Sequence, residues 1–331
     1  MPRTILNGSV DVWVGDCSES LRAMEAASVD AVITSPPYFG LRSYTDDAKE
    51  VGREETVAEY VQRLVDIFAE VHRVLKPAGV LWLNLGDSYN GSGGAGGDYG
   101  PGGCREGQSK YGRRSLTESG LKPKDLVGAP WRVALALQAW GWYLRSEVIW
   151  SKPNPMPSSV LDRPVVSHET VFMLSKSRHY HFDAAAYAER CSPVSDNRRP
   201  YQREANGEAS SASNGVERGG ERGRGVLPKG MRNRRSVWSI PTASYSESHF
   251  AVFPPALVEP MLLASCPPGG VVLDPFGGSG TTAGVALKHS RRAVLCELSP
   301  EYADLMPSRI ESISRLTEGQ TKLNQWGLND G

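Results

Sequence analysis

Short apolar runs alternate along the chain with longer stretches in which apolar residues recur every three or four positions. VDVWV at 10–14, VDAVIT at 29–34 and VLWLNL at 80–85 have the length and composition of buried strands. Residues 56–75 repeat apolar side chains at helical spacing and stop before Lys-Pro-Ala-Gly at 76–79. The order strand, helix, strand predicts a sheet covered by helices.

The same alternation returns later in the chain. It predicts helices at 131–141, 255–265, from about 281 and up to about 315, and strands at 143–150, 271–274 and 293–298. We therefore predict an α/β fold with a Rossmann-like, doubly wound and mostly parallel sheet.

The composition of the chain mainly shows which classes of partner and location are not indicated. The 37 basic and 37 acidic residues cancel, so net charge does not indicate a nucleic-acid or membrane partner. The five cysteines form no C-x-x-C pair, and no apolar run has the length of a signal peptide or a membrane span. We expect a cytoplasmic protein. His179 and His181 alternate on a predicted strand, but no third ligand accompanies them, and no metal site is predicted.

A glycine-rich turn follows the predicted strand at 271–274. In GGVVLDPFGGSGTTAGVAL, residues 269–287, Asp274 ends the strand and a helix opens at Thr281. Small residues allow close approach of a ligand, and a helix amino terminus favours an anionic group. The next strand ends at Glu297, 23 residues after Asp274, where nucleotide-binding folds place a ribose-binding acid. Glycine turns also occur in α/β proteins without this ligand, but the combination predicts a nucleotide-like cofactor.

TSPPY at 34–38 ends another predicted strand on two prolines. Proline donates no ladder hydrogen bond, so the chain leaves the sheet here. The alternative is an ordinary proline-bounded turn.

DPFGGSGTT and TSPPY together resemble the amino-methylating DNA methyltransferases, which transfer a methyl group from S-adenosylmethionine to an exocyclic amine of cytosine or adenine. The tetrapeptide precedes the cofactor loop, as in the circularly permuted beta group of that family. The resemblance implies a permuted S-adenosylmethionine-dependent methyltransferase fold that acts on double-stranded DNA, with a cognate restriction endonuclease as a candidate partner.

The resemblance also implies site residues. Those for S-adenosylmethionine are Asp16, Cys17, Phe250, Asp274, Phe276, Gly278, Gly280, Thr281 and Glu297. Asp16 would accept from the adenine amino group, although a helix cap is the alternative. Phe250 would pack beside the methionine, with core packing as the alternative.

Ser35, Pro36, Pro37 and Tyr38 are the predicted catalytic residues. An exocyclic amine is a poor nucleophile because its lone pair is delocalised into the ring, so a site must position it with acceptors at its N–H bonds. Ser35 Oγ and the Pro36 carbonyl are the expected acceptors. Tyr38 would stack on a base extruded from the duplex.

Asn84, Asp87 and Lys152 are predicted for the base pocket, with strand-end capping as the alternative for Asn84 and Asp87. Arg163 and Glu169 also lie in a stretch that resembles the family. A buried Arg163–Glu169 pair is an equally good account of them.

Two segments break the alternation: the glycine-rich residues 89–114, which we expect to be a mobile loop, and the basic residues 190–236. The predicted organisation is a catalytic and cofactor-binding domain of residues 1–189 and 237–315, a target-recognition insert at 190–236 and a tail at 316–331. A solvated linker is the alternative for the insert. Candidate phosphate contacts are Arg113, Arg114, Arg198, Arg199, Arg232, Arg234 and Arg235.

Serine at the first position of the tetrapeptide favours cytosine N4 within the resemblance, because adenine enzymes usually carry Asp or Asn there. Adenine N6 remains the second choice. A catalytically silent DNA-binding module and an RNA or protein methyltransferase are less favoured. The latter enzymes place the cofactor loop before the tetrapeptide.

Overall fold

The computed structural model describes residues 2–40, 49–90, 120–155, 157–158, 160–191, 227, 230–242 and 254–316. The chain divides into two compact units, Met1–Phe182 with Arg235–Gly331 and, separately, Asp183–Arg234. The first unit contains the main sheet and the predicted site.

The strands in the described residues, numbered along the chain, are β1 Arg3–Ile5, β2 Val10–Val14, β3 Val29–Thr34, β4 Leu75–Leu85, β5 Tyr143–Ser151, β6 His168–Ser175, β7 Glu189–Arg190, β8 Met231–Arg232, β9 Val237–Ser239, β10 Val271–Asp274 and β11 Arg292–Glu297. Nine of them form one sheet in the order β1-β2-β11-β10-β3-β4-β6-β5-β9. The β1–β2, β4–β6 and β5–β6 pairs are antiparallel, and the other pairs are parallel. The predicted mostly parallel α/β sheet is confirmed.

The helices in the described residues are α1 Cys17–Ala23, α2 Val57–Val74, α3 Ala129–Trp140, α4 Ala184–Tyr187, α5 Pro255–Ser265, α6 Thr281–Lys288 and α7 Pro300–Ser314. The longest, α2, begins with a capping box in which Thr56 and Glu59 satisfy each other's backbone N–H groups. Its apolar face, which includes Tyr60, Leu64 and Phe68, is fully buried. The spacing of apolar residues therefore predicted this helix correctly.

The centre of the sheet is apolar because helices cover it. Leu81, Leu83, Val32 and Leu273 are completely buried. β3 and β10 are adjacent parallel strands, with Ala31 opposite Val272, although about 240 residues separate them in sequence. This crossover brings TSPPY and the glycine turn to the same edge of the sheet.

The structure differs from the predicted strands in two places. β4 starts at Leu75, not at 80. The residues around Pro77 interrupt the regular pairing of β3 with β4 between the Val29–Leu75 and Ala31–Val80 pairs. A proline, which donates no backbone hydrogen bond, is tolerated at such an irregularity. The strand expected around His179 and His181 is wrong. The strand in this region is β6, which ends at Ser175, and the two histidines follow it in bends and irregular chain.

The second unit is small in its described part. It contains α4, which Asp183 caps by accepting from the backbone N–H groups of Ala185 and Ala186. Its two short strands, β7 and β8, form an antiparallel pair in which Glu189 lies opposite Arg232.

Candidate active site

The predicted site residues lie along one edge of the main sheet, which is formed by the carboxyl-terminal ends of its parallel strands. The parallel strands β2, β11, β10, β3 and β4 all end there, next to Asp16, Glu297, Asp274, Ser35 and Asn84. Because β6 is antiparallel to β4, its first residues lie at this edge, and β5 ends there beside it. Seven strand ends therefore lie on the same side of the sheet, where a ligand crevice is expected in an α/β fold.

Asp274 joins the two sequence motifs. Its carboxylate accepts hydrogen bonds from Thr34 Oγ1 at 2.7 Å, from Thr282 Oγ1 at 2.7 Å and from the Phe276 backbone N–H at 3.1 Å. The residue is 1% exposed, and this burial raises the pKa of its carboxyl to about 6. Asp274 thus faces the protein interior, where it holds β3 beside the glycine turn. Sequence reasoning missed Thr34 and Thr282, because their contact with Asp274 leaves no local signal.

Gly278 and Gly280 of the turn are in different surroundings, so the need for glycine differs between the two positions. A Cβ on Gly280, whose φ is +85°, would lie 2.8 Å from Ile310 Cγ1. Gly280 therefore allows close packing of α6 against α7, which the prediction of ligand approach did not foresee. Gly278 has a φ of +51°, and a Cβ there would meet no atom within 4 Å. Only Gly278 of this pair faces open space.

Two hydroxyl groups of the same turn have no partner among the described residues. Ser279 Oγ and Thr281 Oγ1 are buried and make no hydrogen bond there, at the amino terminus of α6. Buried hydroxyls are normally satisfied, so these two atoms suit a polar ligand group that enters the turn. Phe276, which follows Asp274, packs against the hydrophobic core and is half-buried.

Glu297 lies next to this turn at the end of β11. Its carboxylate accepts from the backbone N–H groups of Gly278, at 2.7 Å, and Ser299, at 2.9 Å. Burial outweighs these bonds, and the nearby Asp274 carboxyl adds to it, so the pKa of Glu297 rises to about 7. A hydroxyl-bearing ligand that donates to the carboxylate would favour its charged form.

Asp16 and Cys17 lie at the start of α1, beside Glu297, whose carbonyl accepts from the Gly15 N–H at 2.8 Å. One oxygen of Asp16 caps α1 by accepting from the Ser18 and Glu19 N–H groups, so the helix-cap alternative is present in the structure. The Cys17 thiol is buried in the hydrophobic core, and this burial raises its pKa to about 12. The cofactor contact expected of Cys17 stays a prediction, and it would have to come from the backbone. Phe250 lies outside the described residues.

The Ser-Pro-Pro-Tyr segment leaves β3 at the same edge. Pro37 O accepts from Tyr60 Oη at 3.0 Å, which anchors the segment to α2. Within the described residues nothing donates to the Pro36 carbonyl. Among the described residues that oxygen is therefore an acceptor without a partner, and its contact with the target amine stays a prediction.

Ser35 and Tyr38 belong to a polar cluster that reaches four elements. Asn84 Nδ2 lies 3.2 Å from Ser35 Oγ, 2.8 Å from Tyr38 Oη and 2.8 Å from Glu169 Oε2. Tyr38 Oη donates to Glu169 Oε2 at 2.6 Å, and Ser35 Oγ lies 3.3 Å from Tyr38 Oη. Lys152 Nζ forms an ion pair with Glu169 Oε1 and lies 4.6 Å from the centre of the Trp150 ring. Asn84 and Lys152, two of the three residues predicted for the base pocket, thus join the serine and tyrosine.

The third, Asp87, is placed differently. Its carboxylate accepts from the N–H groups of Ser88, Gly128 and Ala129 and so caps α3, whose N-cap residue Gly128 has no side chain to do so. The capping alternative applies, and Asp87 is removed from the base pocket. Burial raises the pKa of this carboxyl.

The expected Arg163–Glu169 pair is wrong. Glu169 pairs with Lys152, and the Arg163 guanidinium lies over the Tyr89 ring at 3.6 Å from its centre. A planar guanidinium stacks readily on an aromatic face. Lys152 can reach Glu169 because it directly follows β5, in which Trp150 lies opposite Glu169 of β6.

Comparisons with known proteins agree with this geometry. Residues 29–307 match the family described as DNA methylase. The chain is 41% identical over 311 residues to the type II methyltransferase M.Cfr9I of Citrobacter freundii, covering 92% of this chain and 89% of that one. It is 42% identical over 308 residues to M.SmaI of Serratia marcescens, covering 91% of each. The protein belongs to the DNA methylase family.

Solved structures share the fold of this methylase. The PvuII DNA methyltransferase, titled cytosine-N4-specific, has a TM-score of 0.60 at 19% identity and covers 97% of this chain and 94% of its own. TTHA0409 of Thermus thermophilus, solved in complex with S-adenosyl-L-methionine, has a TM-score of 0.53 at 22% identity and covers 92% and 95%.

The arginines predicted to contact DNA lie partly within the described residues of the methylase. Arg232 forms an ion pair with Glu189 at 2.9 Å, and Arg234 Nε donates to the Tyr187 carbonyl at 3.3 Å. Arg235 is exposed and belongs to the first unit. Arg113, Arg114, Arg198 and Arg199 lie outside the described residues, as do positions 91–114 of the glycine-rich segment.

Neither a metal-binding cluster nor a membrane-spanning helix occurs in the part of the methylase that the structure describes. Nowhere in the described ranges do three or more His, Cys, Asp or Glu side chains come together so that they could hold a metal ion. Every helix in those ranges is too short or too polar to cross a lipid bilayer.

Proposed function

We propose that this methylase transfers a methyl group from S-adenosylmethionine to the exocyclic N4 amine of a cytosine flipped out of a specific site in duplex DNA. The observation that carries the proposal is the buried Thr34–Asp274 hydrogen bond of 2.7 Å. It fixes the strand that ends at Ser35 beside the strand that opens the glycine turn. A donor in that turn and a base at Ser35 would therefore be neighbours.

The residues around the turn fit the cofactor. Glu297 is suited to the ribose hydroxyls, because its carboxylate is held by two backbone N–H groups at the end of β11. Ser279 Oγ and Thr281 Oγ1 are buried hydroxyls that lack a protein partner in the described residues and suit the polar end of the methionine. When bound, S-adenosylmethionine supplies an electrophilic methyl group on a sulfonium.

The protein's part in the reaction is to position the amine. Ser35 Oγ and the Pro36 carbonyl, which has no partner among the described residues, are acceptors for the two N–H bonds, and this leaves the nitrogen lone pair free to face the methyl group. The half-buried Tyr38 offers an aromatic surface for a base that has left its stack. Asp274, being buried, positions the turn and does not bind the cofactor directly.

Cytosine is preferred over adenine on two grounds. Ser35 occupies the position at which adenine enzymes of the resembled family usually carry Asp or Asn. The PvuII enzyme that shares the fold is cytosine-N4-specific by its title. Transfer to adenine N6 by the same residues is the second candidate.

Specificity for a DNA site would come from the second unit. Residues 190–235 carry eleven Lys or Arg against five Asp or Glu, and such a segment favours phosphate contacts. Arg198, Arg199, Arg232 and Arg234 of this unit, with Arg235 directly after it, are the candidate DNA contacts, and Arg232 would have to exchange its ion pair with Glu189 for a phosphate. The relatives M.Cfr9I and M.SmaI are type II methyltransferases, and a cognate restriction endonuclease is the corresponding candidate partner.

Nucleoside mass spectrometry tests the function. DNA incubated with the protein and methyl-labelled S-adenosylmethionine is digested to nucleosides, and label is expected in N4-methyldeoxycytidine. Label in N6-methyldeoxyadenosine would select the second candidate. Absence of label in DNA, with the protein folded and the cofactor bound, would refute the enzymatic proposal.

A further inference from the structure

Glu169 is the charged centre of the cluster that contains Ser35. Its side chain is 14% exposed, and that of its partner Lys152 is 19% exposed. Its Oε1 forms the ion pair with Lys152, and its Oε2 accepts hydrogen bonds from Tyr38 Oη, at 2.6 Å, and from Asn84 Nδ2, at 2.8 Å. An ionised carboxylate can only accept hydrogen bonds, so every group that contacts it must donate.

This requirement determines the direction in which the neighbouring hydroxyl and amide hydrogens point. Tyr38 has a single hydroxyl hydrogen, and Glu169 takes it. The Asn84 amide must turn its NH2 toward Glu169, because its carbonyl would repel the carboxylate. The NH2 has two hydrogens and three oxygen neighbours; Glu169 Oε2 and Tyr38 Oη are the nearer two, each at 2.8 Å, and Ser35 Oγ lies 3.2 Å away. The only hydrogen left for the Ser35–Tyr38 contact of 3.3 Å is the serine's own.

Ser35 is consequently left with a defined polarity. Its hydrogen points to Tyr38, at most one of its two lone pairs accepts from Asn84, and at least one lone pair has no partner in the described residues. If Glu169 could donate, Tyr38 would be free to donate to Ser35 instead. The serine hydrogen would then be free to turn toward the amine and oppose its N–H bond.

We infer that Glu169, balanced by Lys152, is a positioning residue that acts through Tyr38 and Asn84 to present Ser35 Oγ as a hydrogen-bond acceptor to the target amine. The inference rests on the proposed function, and it concerns only the rate of transfer. Glu169 itself need not contact the base or the cofactor.

The test compares Glu169→Gln with Glu259→Gln in single-turnover methylation of saturating DNA and cofactor. Glu259 is a matched control, because it pairs with Lys288 at 2.9 Å and is also largely buried, with 27% of its side chain exposed, but it lies on α5. We expect Glu169→Gln to slow transfer by about tenfold to a hundredfold, the range typical when a residue that orients a functional side chain is lost. Glu259→Gln should keep the wild-type rate.

Two further measurements separate positioning from a loss of structure. Calorimetry should give the same cofactor Kd for Glu169→Gln and wild type, and fluorescence anisotropy the same DNA Kd. In a Tyr38→Phe background, Glu169→Gln should slow transfer by less than about twofold, because an effect routed through the tyrosine is not additive.

A wild-type transfer rate in Glu169→Gln, or a full additional loss in the Tyr38→Phe background, would overturn the inference while the methyltransferase function stands. If Glu169→Gln leaves Lys152 unpaired and the variant does not fold, the double variant Glu169→Gln with Lys152→Gln removes both charges and is assayed instead. It should show the same loss of rate. A protein that labels no DNA even as wild type refutes the proposed function itself.

Discussion

The raised pKa of Glu297 predicts that cofactor binding depends on pH. The carboxyl is nearly buried between the Gly278 and Ser299 N–H groups, and its pKa of about 7 lies above the ordinary value of 4.5. The ribose hydroxyls of S-adenosylmethionine must donate to the carboxylate, so binding favours the ionised form. Affinity should therefore be highest above pH 7 and fall as the pH drops through 7.

The size of the effect follows from the pKa. At pH 6 about a tenth of the free protein has an ionised Glu297, whereas at pH 8 almost all of it does, so the Kd should be about tenfold larger at pH 6. This corresponds to about 1.4 kcal/mol of binding free energy. Isothermal titration calorimetry between pH 5.5 and 8.5 measures it directly.

Glu297→Gln is the control, because glutamine keeps an acceptor oxygen but does not titrate. It should bind more weakly than wild type at pH 8, and its Kd should show only the pH dependence that the cofactor's own amine introduces. The same slope in both proteins would refute the assignment of the ribose site to Glu297.

Four further substitutions test other parts of the structure. Ser35→Ala should leave the cofactor Kd unchanged in calorimetry but slow methyl transfer by about tenfold or more, since an acceptor for the amine is lost. Gly280→Ala should lower the free energy of unfolding in urea by about 2–4 kcal/mol, from strain at positive φ and overlap with α7. Gly278→Ala should cost only about 1 kcal/mol, from strain alone; equal losses would contradict the packing account. Asp87→Ala should destabilise the protein by about 1–2 kcal/mol in the same assay by uncapping α3, with the cofactor Kd unchanged.

The fold could be predicted wherever apolar spacing was clear. β2, β3, β10, β11 and α2 lie where the pattern indicated, because buried parallel strands and amphipathic helices carry strong local signals. The antiparallel β6 was not recognised, since its apolar residues follow a motif-rich, polar stretch and one of its two partners, β4, is distant in sequence. The short edge strands β1 and β9 have too few residues for a pattern.

The site was predictable as a set of motifs but not as a set of contacts. Ser35, Tyr38, Asn84 and Lys152 were singled out and do lie together. Which acid completes the cluster could not be read from the chain, because Glu169 reaches it through the register of β5 with β6. Asp87 and Cys17 follow strands just as the other predicted crevice residues do, and only the structure shows that the Asp87 side chain caps a helix and the Cys17 side chain packs in the core.

The most direct test of the central claim is a crystal structure with a cofactor analogue and duplex DNA that contains the target site. The account predicts a flipped cytosine whose N4 lies about 3 Å from Ser35 Oγ, next to an analogue whose ribose hydroxyls bind Glu297. An analogue bound away from the glycine turn, or a target base that makes no contact with Ser35, would contradict it.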